Sequence, residues 1–168
     1  SSDVCSSDLL RLDRARRPIL WHSWPQDAHF SMEAVARSRK SAAQSESLLS
    51  LVPGMGHGNL SDRPEWFAFA ASVMKDGKLW IREKSTTVED GKIEAVFETQ
   101  TPLESAVLVS TTDTGHTGGR KWIETPATLE QNGDEWNAEA AVPEGTTACY
   151  LNVKAGQVLT SSDYIEIK

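Results

Sequence analysis

The chain lacks several features that mark distinct protein classes. None of its apolar runs is long enough to cross a membrane. Its two cysteines, Cys5 and Cys149, supply neither a disulfide framework nor a metal-ligand spacing. Basic residues are in the minority, 17 against 24 acidic ones, and no basic patch is interleaved with aromatic residues. We therefore expect neither a membrane nor nucleic acid as a partner.

The first nine residues also lack the features of a secretory signal. Residues 1–9 contain no Met, no basic stretch, no apolar stretch and no cleavage-site pattern. All nine agree with the translation of a common short-read sequencing adapter. We interpret them as a metagenomic library artefact fused to a reading frame that is cut off upstream. Localisation is therefore left open.

Residues 10–77 alternate between strand patterns and helix patterns. Residues 19–24 form an almost wholly apolar run, as in a strand covered on both faces, and residues 47–52 form the next strand. Ser31 can cap a helix that reaches to about residue 43. A second helix is predicted after residues 62–65, which combine an N-cap Asp, a first-turn Pro and an acid. This order predicts a right-handed parallel unit.

Residues 78–168 change to a period of two. Apolar residues recur at every second position, and Gly- or Pro-containing turn signals separate about seven short strands. This pattern predicts an all-β sandwich of the immunoglobulin or fibronectin type. Cys149 is interpreted as a small buried strand residue. The expected fold class is thus an α/β unit over residues 10–77 followed by a β-sandwich domain.

Two candidate catalytic residues each follow a predicted buried strand. Asp27 comes after the first strand, and His57 lies in a glycine-rich loop after the second. Alone, such an Asp is usually a turn former and such a His is usually structural or incidental. Together, and in this order, they match the last two members of a Ser–Asp–His triad, in which the imidazole takes the proton of the nucleophile and the carboxylate orients the imidazole.

Residues 18–77 resemble the end of an α/β-hydrolase catalytic domain, most similar to acetyl-xylan-esterase-like and dienelactone-hydrolase-like enzymes with a C-terminal β-sandwich. The resemblance extends more loosely through residues 112–113, 120–122 and 161–164. It implies that Asp27 is the triad acid and His57 the triad base of a serine hydrolase. The substrate would be a small-molecule or carbohydrate ester, cleaved through an acyl-enzyme without a cofactor.

The nucleophile of that triad is missing from the sequence. No G-x-S-x-G motif occurs, so the serine and the oxyanion-hole loop are expected upstream, and this chain alone is expected to be inactive. A tail of a prolyl-oligopeptidase-type serine peptidase is the runner-up, because that class shares the order of the triad. The oligomeric state is left open.

Other residues suggest different functions. His22, Asp27 and His29 can be drawn as a metal cluster, but such trios are usually accidental and no metal is expected. His116 is interpreted as an exposed loop residue. Three tryptophans are candidates for stacking on sugars, although we favour a role in the core; they are Trp80, Trp122 and Trp136. A docking role for the β-sandwich is a further alternative.

Overall fold

Ten strands and two complete helices lie in the part of the chain that the computed structural model describes, residues 11–56, 62–77 and 79–167. The helices are α1 (Met32–Ser41) and α2 (Pro64–Asp76). The strands are β1 (Ile19–Ser23), β2 (Ser47–Leu51), β3 (Arg82–Glu89), β4 (Lys92–Glu98), β5 (Ser105–Thr111), β6 (Ile123–Asn132), β7 (Glu135–Ala141), β8 (Ala148–Ala155), β9 (Val158–Ser161) and β10 (Ile165–Glu166).

Eight of the strands form one curled antiparallel sheet in the order β10-β8-β5-β6-β7-β4-β3, with β9 pairing with β8. The curl is built on β6, which changes partner along its length. Residues 123–127 pair with β5, whereas residues 128–132 pair with β7. The sheet therefore bends over on itself, and the inward faces of its two halves meet.

The main core lies between these two halves. On β4, Ile93, Ala95 and Phe97 are fully buried and alternate with less buried residues, as the period of a strand requires. β8 is buried on both faces over six successive residues, which include Cys149 and Tyr150. Burial raises the pKa of the Cys149 thiol to about 11. The interpretation of Cys149 as a small buried strand residue is confirmed.

The N-terminal elements form where the sequence predicts them. β1 and β2 pair in parallel, and α1 connects them. Ser31 caps α1 by accepting a hydrogen bond from the Ala34 N–H at 3.3 Å. α2 starts at Pro64 and ends at Asp76, and it is followed by Gly77, whose φ of +66° suits glycine. The predicted Asp62 cap is wrong, because the N-cap position is Arg63 and no side chain caps it.

A seam of buried polar side chains joins β2 to β8 and β9. The Leu51 N–H donates to Ser161 Oγ at 2.8 Å, and Asn152 Nδ2 donates to the Leu51 carbonyl at 3.1 Å. Ser161 Oγ in turn donates to Asn152 Oδ1 at 2.5 Å. Ser161 and Asn152 are almost completely inaccessible to solvent. Side chains of the curled sheet thus satisfy backbone groups at the end of β2 that another strand would otherwise pair.

The predicted fold class, an α/β-hydrolase parallel sheet followed by an immunoglobulin- or fibronectin-like sandwich, is wrong. Among the described strands only β1 and β2 pair in parallel, and the other eight form one curled antiparallel sheet. An apolar strand sequence indicates that both faces of the strand are buried, but it does not identify the elements that bury them. Here Leu49 and Leu51 pack with Met32 of α1 and Tyr150 of β8. The resemblance to α/β-hydrolases is contradicted too, and the esterase and triad assignments lose that support.

The proposed boundaries at residues 9, 77 and 78 stay predictions, and residues 1–9 lie outside the described part. Across the predicted boundary at residue 77, Leu48 and Ile81 belong to the same buried cluster as Phe97. The two predicted regions therefore share apolar packing.

The seam predicts a specific loss of stability. Asn152→Ala removes the donor to Leu51 and the acceptor for Ser161, so we expect the free energy of unfolding to fall by about 1–3 kcal/mol. Urea denaturation measures this loss. Asn137→Ala is the matched control, because the Asn137 amide oxygen is buried without a hydrogen-bond partner in the described structure. Equal losses for the two variants would show that the seam does not stabilise the fold.

Candidate functional site

Asp27 organises the loop between β1 and α1. Its side chain is buried, and its Oδ1 accepts hydrogen bonds from the backbone N–H groups of His29 at 2.7 Å and Phe30 at 3.1 Å. Its own N–H donates to the Trp24 carbonyl at 3.2 Å. This arrangement is an Asx turn, in which the carboxylate holds the backbone that follows it. The turn-forming role of Asp27 is therefore present in the structure.

A 3-10 turn at Thr117–Gly119 contacts the segment from Asp27 to Met32. Thr117 Oγ1 accepts a hydrogen bond from the Met32 N–H at 2.9 Å. A Cβ atom on Gly118 would lie 2.1 Å from the Asp27 carbonyl oxygen, so only glycine fits there. His116 is exposed, as expected, and its Nδ1 accepts from the Gly118 N–H at 3.1 Å. The position of Asp27 is therefore fixed by a close backbone contact with a segment distant in sequence.

His57 lies outside the described residues. The predicted pairing of Asp27 with His57 therefore stays a prediction.

His22 forms a buried cluster with the first turn of α2. Its Nδ1 accepts a hydrogen bond from Trp66 Nε1 at 2.7 Å, and its Nε2 lies 3.9 Å from Glu65 Oε2. Glu65 is almost fully buried, accepting from Arg63 Nε at 3.2 Å and from the Leu159 N–H at 3.3 Å. Because Nδ1 is an acceptor, the neutral ring carries its proton on Nε2. His22 thus connects β1 with α2.

Burial lowers the pKa of His22 below its ordinary value, because the charged imidazolium loses hydration in this cluster. The carboxylate of Glu65 opposes the shift, and the guanidinium of Arg63 adds to it. Protonation at Nδ1 would also remove the acceptor that Trp66 uses. The structure therefore favours a neutral His22 near pH 7.

The suggested metal trio is not assembled. Asp27 Oδ1 accepts from its own loop, whereas His22 contacts Glu65 and Trp66. Throughout residues 11–56, 62–77 and 79–167, no group of three or more His, Cys, Asp or Glu side chains is placed to hold a metal ion.

A cleft of about 740 Å³ opens on another side of the protein. Its walls come from the second half of α1, the segment after it, the start of β3 and the residues before β10. The charged side chains that line it are Arg39, Lys40, Glu46, Arg82, Glu83 and Asp163, and Leu79, Tyr164 and Ile165 also contribute to the wall. Elements far apart in the sequence therefore build this cleft.

Ion pairs fix the side chains of the cleft. Arg39 Nη2 donates to Glu83 Oε2 at 2.6 Å, and Arg39 Nη1 donates to Asp163. The Asp163 N–H donates to Glu83 Oε1 at 2.8 Å, while Arg82 pairs with Glu46. Helix spacing would place Arg39 on an exposed face of α1, yet its side chain is only 15% exposed. Sequence reasoning missed the cleft because each pair joins residues from different elements.

Tyr164 on the cleft wall is hydrogen-bonded to Arg120. Arg120 Nη1 donates to Tyr164 Oη at 3.2 Å, its Nε donates to the Gly115 carbonyl at 2.9 Å, and its Nη2 donates to Glu33 Oε1 at 3.0 Å. Burial raises the pKa of Tyr164 well above its ordinary value, so the phenol stays protonated at physiological pH. Arg120 thereby ties α1 to the end of the chain beside the cleft.

The three tryptophans form no exposed platform. Trp136 is in the main core, and Trp80 packs against that core. Trp122 lies 6.0 Å from Tyr150 and 6.3 Å from Tyr164 between ring centroids, and its Nε1 donates to the Thr117 carbonyl at 3.2 Å. Trp136 is thus buried in the core, as expected, whereas Trp80 and Trp122 are half-buried and pack against it.

His22 predicts a dependence of stability on pH. Above pH 6.5, the ordinary value for histidine, the imidazole is neutral in both states and its contribution is complete. Below it, the unfolded chain binds the proton first, so the free energy of unfolding falls, by at most about 1.4 kcal/mol per pH unit. Urea denaturation between about pH 7.5 and about pH 5 measures this slope.

His22→Phe should flatten the slope, since the variant has no proton to take up. His116→Gln is the control, because His116 is exposed, and it should keep the wild-type slope. A His22→Phe variant with an unchanged pH dependence would contradict the assignment.

Comparisons with known proteins give little similarity. Neither a protein-family model nor a curated protein sequence matches the chain. Among solved structures, the starch-binding domain of Rhizopus oryzae glucoamylase, determined with β-cyclodextrin and maltoheptaose, matches with 10% sequence identity and a TM-score of 0.33. That match covers 54% of this chain and 94% of the starch-binding domain.

Proposed function

We propose that the chain binds a neutral carbohydrate in the cleft between α1 and the end of the curled sheet. The observation that supports the proposal most is the balance of charge in this cleft. Arg39, Lys40 and Arg82 supply three positive charges, and Glu46, Glu83 and Asp163 supply three negative ones. The cleft presents charged groups of both signs and has no net charge.

A polar cleft without net charge suits a ligand that is itself polar and uncharged. A charged ligand gains affinity from a field of the opposite sign, which balanced ion pairs do not provide. Sugar hydroxyls both donate and accept hydrogen bonds, so they can contact a guanidinium and a carboxylate at once. The presence of both donors and acceptors on the wall therefore fits a polyhydroxyl ligand.

The size and rigidity of the cleft also fit an oligosaccharide. Its volume of about 740 Å³ lies within the range of small-molecule sites, about 300–1,000 Å³. Apolar wall is available from Leu79 and Ile165 for the C–H faces of a sugar ring. The side chains of Arg39 and Glu83 are paired before any ligand arrives, so binding would order few of them.

Carbohydrate binding is the alternative function that the sequence suggested through its tryptophans. Because those rings pack in or against the core, the charged cleft is the better candidate for the carbohydrate site. The expectation that this chain alone does not hydrolyse esters stays a prediction.

Affinity electrophoresis of the full chain tests the proposal. We expect slower migration in gels that contain a neutral polysaccharide such as starch or xylan. Asp163→Asn removes one carboxylate whose side chain is 55% exposed, so it should alter the cleft more than the fold. We expect this substitution to weaken binding about tenfold, the effect of losing one charge-assisted hydrogen bond.

Asp134→Asn is the matched control, because Asp134 is an exposed residue in the turn between β6 and β7. It should bind like the wild type. Unretarded migration on every neutral polysaccharide would reject the proposal, as would equal binding by the Asp163→Asn variant. Retardation by an anionic polysaccharide alone would contradict the argument from charge balance.

A further inference from the structure

Helix α2 exposes an apolar face. Trp66 is 41% exposed, Phe67 is 65% exposed and Met74 is 87% exposed. Ala70 and Ala71, which lie between them along the helix, are exposed as well. At 3.6 residues per turn, these five positions form one stripe along the helix. Such a continuous apolar stripe marks an interaction surface more often than single exposed residues do.

The opposite side of α2 is firmly attached, so the stripe is not the result of a detached helix. Phe69 packs against the main core, and Glu65 accepts the hydrogen bond from the Leu159 N–H of β9. Trp66 is fixed through its Nε1–H to His22 although part of its ring faces solvent. The helix therefore presents its apolar stripe from a fixed position.

The order of side chains along the stripe is self-complementary. Large residues lie near its two ends, Trp66 and Phe67 at the start and Met74 at the end, and the small residues Ala70 and Ala71 lie at the centre. When two copies of α2 pack antiparallel, the alanines meet and allow close approach. The aromatic rings of each copy then lie beside Met74 of the other, a favourable sulfur–aromatic contact.

The charges at the ends of the helix match the same arrangement. Asp62 precedes α2, and Lys75 lies in its last turn. In an antiparallel pair, Lys75 of one copy approaches Asp62 of the other. A parallel pair would instead place identical charges side by side. Antiparallel helix dipoles also attract each other.

We propose that α2 is the interface of a two-fold symmetric homodimer, in which the stripe formed by Trp66, Phe67, Ala70, Ala71 and Met74 packs against the same stripe of a second copy. Two-fold interfaces use one patch twice and therefore require self-complementarity. A membrane surface fits less well, since the chain carries a net charge of −7 and anionic lipids would repel it.

Sedimentation velocity of the full chain over a wide range of concentrations tests the proposal. We expect a monomer–dimer equilibrium for the wild type. Phe67→Glu replaces one of the large apolar side chains of the contact with a charge and should raise the dissociation constant of the dimer at least about tenfold. Ile123→Glu is the matched control, because Ile123 is 50% exposed but belongs to β6, and it should leave the dimer unchanged.

Charge reversal tests the antiparallel orientation. Lys75→Glu should weaken the dimer by repelling Asp62 of the partner copy, and adding Asp62→Lys to the same chain should restore it. Circular dichroism melting of each variant confirms that the fold is retained. This rescue would not occur in a parallel pair.

Three results would overturn the proposal. They are a wild-type chain that stays monomeric at all concentrations, a dimer that tolerates Phe67→Glu as well as Ile123→Glu, and a monomer that binds phosphatidylcholine vesicles through Phe67. Failure of the dimer would leave the carbohydrate proposal intact, because the cleft and the stripe share no residue.

Discussion

The hydrogen bonds that Asn152 and Ser161 make to the backbone of Leu51 are the interaction on which the packing of β2 against the curled sheet depends. Among the described strands, β2 pairs with β1 alone, so backbone groups on its other side need other partners. Two buried side chains supply them, with hydrogen bonds of 2.8 and 3.1 Å. Leaving such groups buried and unpaired is expensive, so the position of β2 on the curled sheet is specified by polar as well as apolar contacts.

The cleft exists because this attachment brings α1 beside the end of the chain. Arg39 of α1 reaches Glu83 at the start of β3 and Asp163 before β10, and Arg120 reaches back to Glu33 of α1. These bonds link segments that hydrophobic packing alone would position less exactingly. The cleft is therefore held rigidly both by α1 and by the curled sheet.

Local features of the fold were predictable, whereas the pairing of distant segments was not. The cap at Ser31, the stop at Gly77 and the burial of Cys149 follow from chemistry within a few residues. The partner of β2 does not, because an apolar run records burial without naming the covering surface. The ion pairs of Arg39 with Glu83 and Asp163 were not predictable for the same reason, because the partners of an ion pair are set by tertiary structure.

The seam also has a consequence for the order in which the protein is made. The residues that complete β2 lie 101 and 110 positions further along the chain. During synthesis, β1, α1 and β2 leave the ribosome well before β8 and β9 exist. The apolar faces of β1, α1 and β2 stay uncovered until β8 and β9 have been synthesised. Contacts between segments so far apart in sequence also form slowly. A chaperone that shields apolar surface on nascent chains would bind β1, α1 and β2 in this interval, before β8 and β9 cover Leu49 and Leu51.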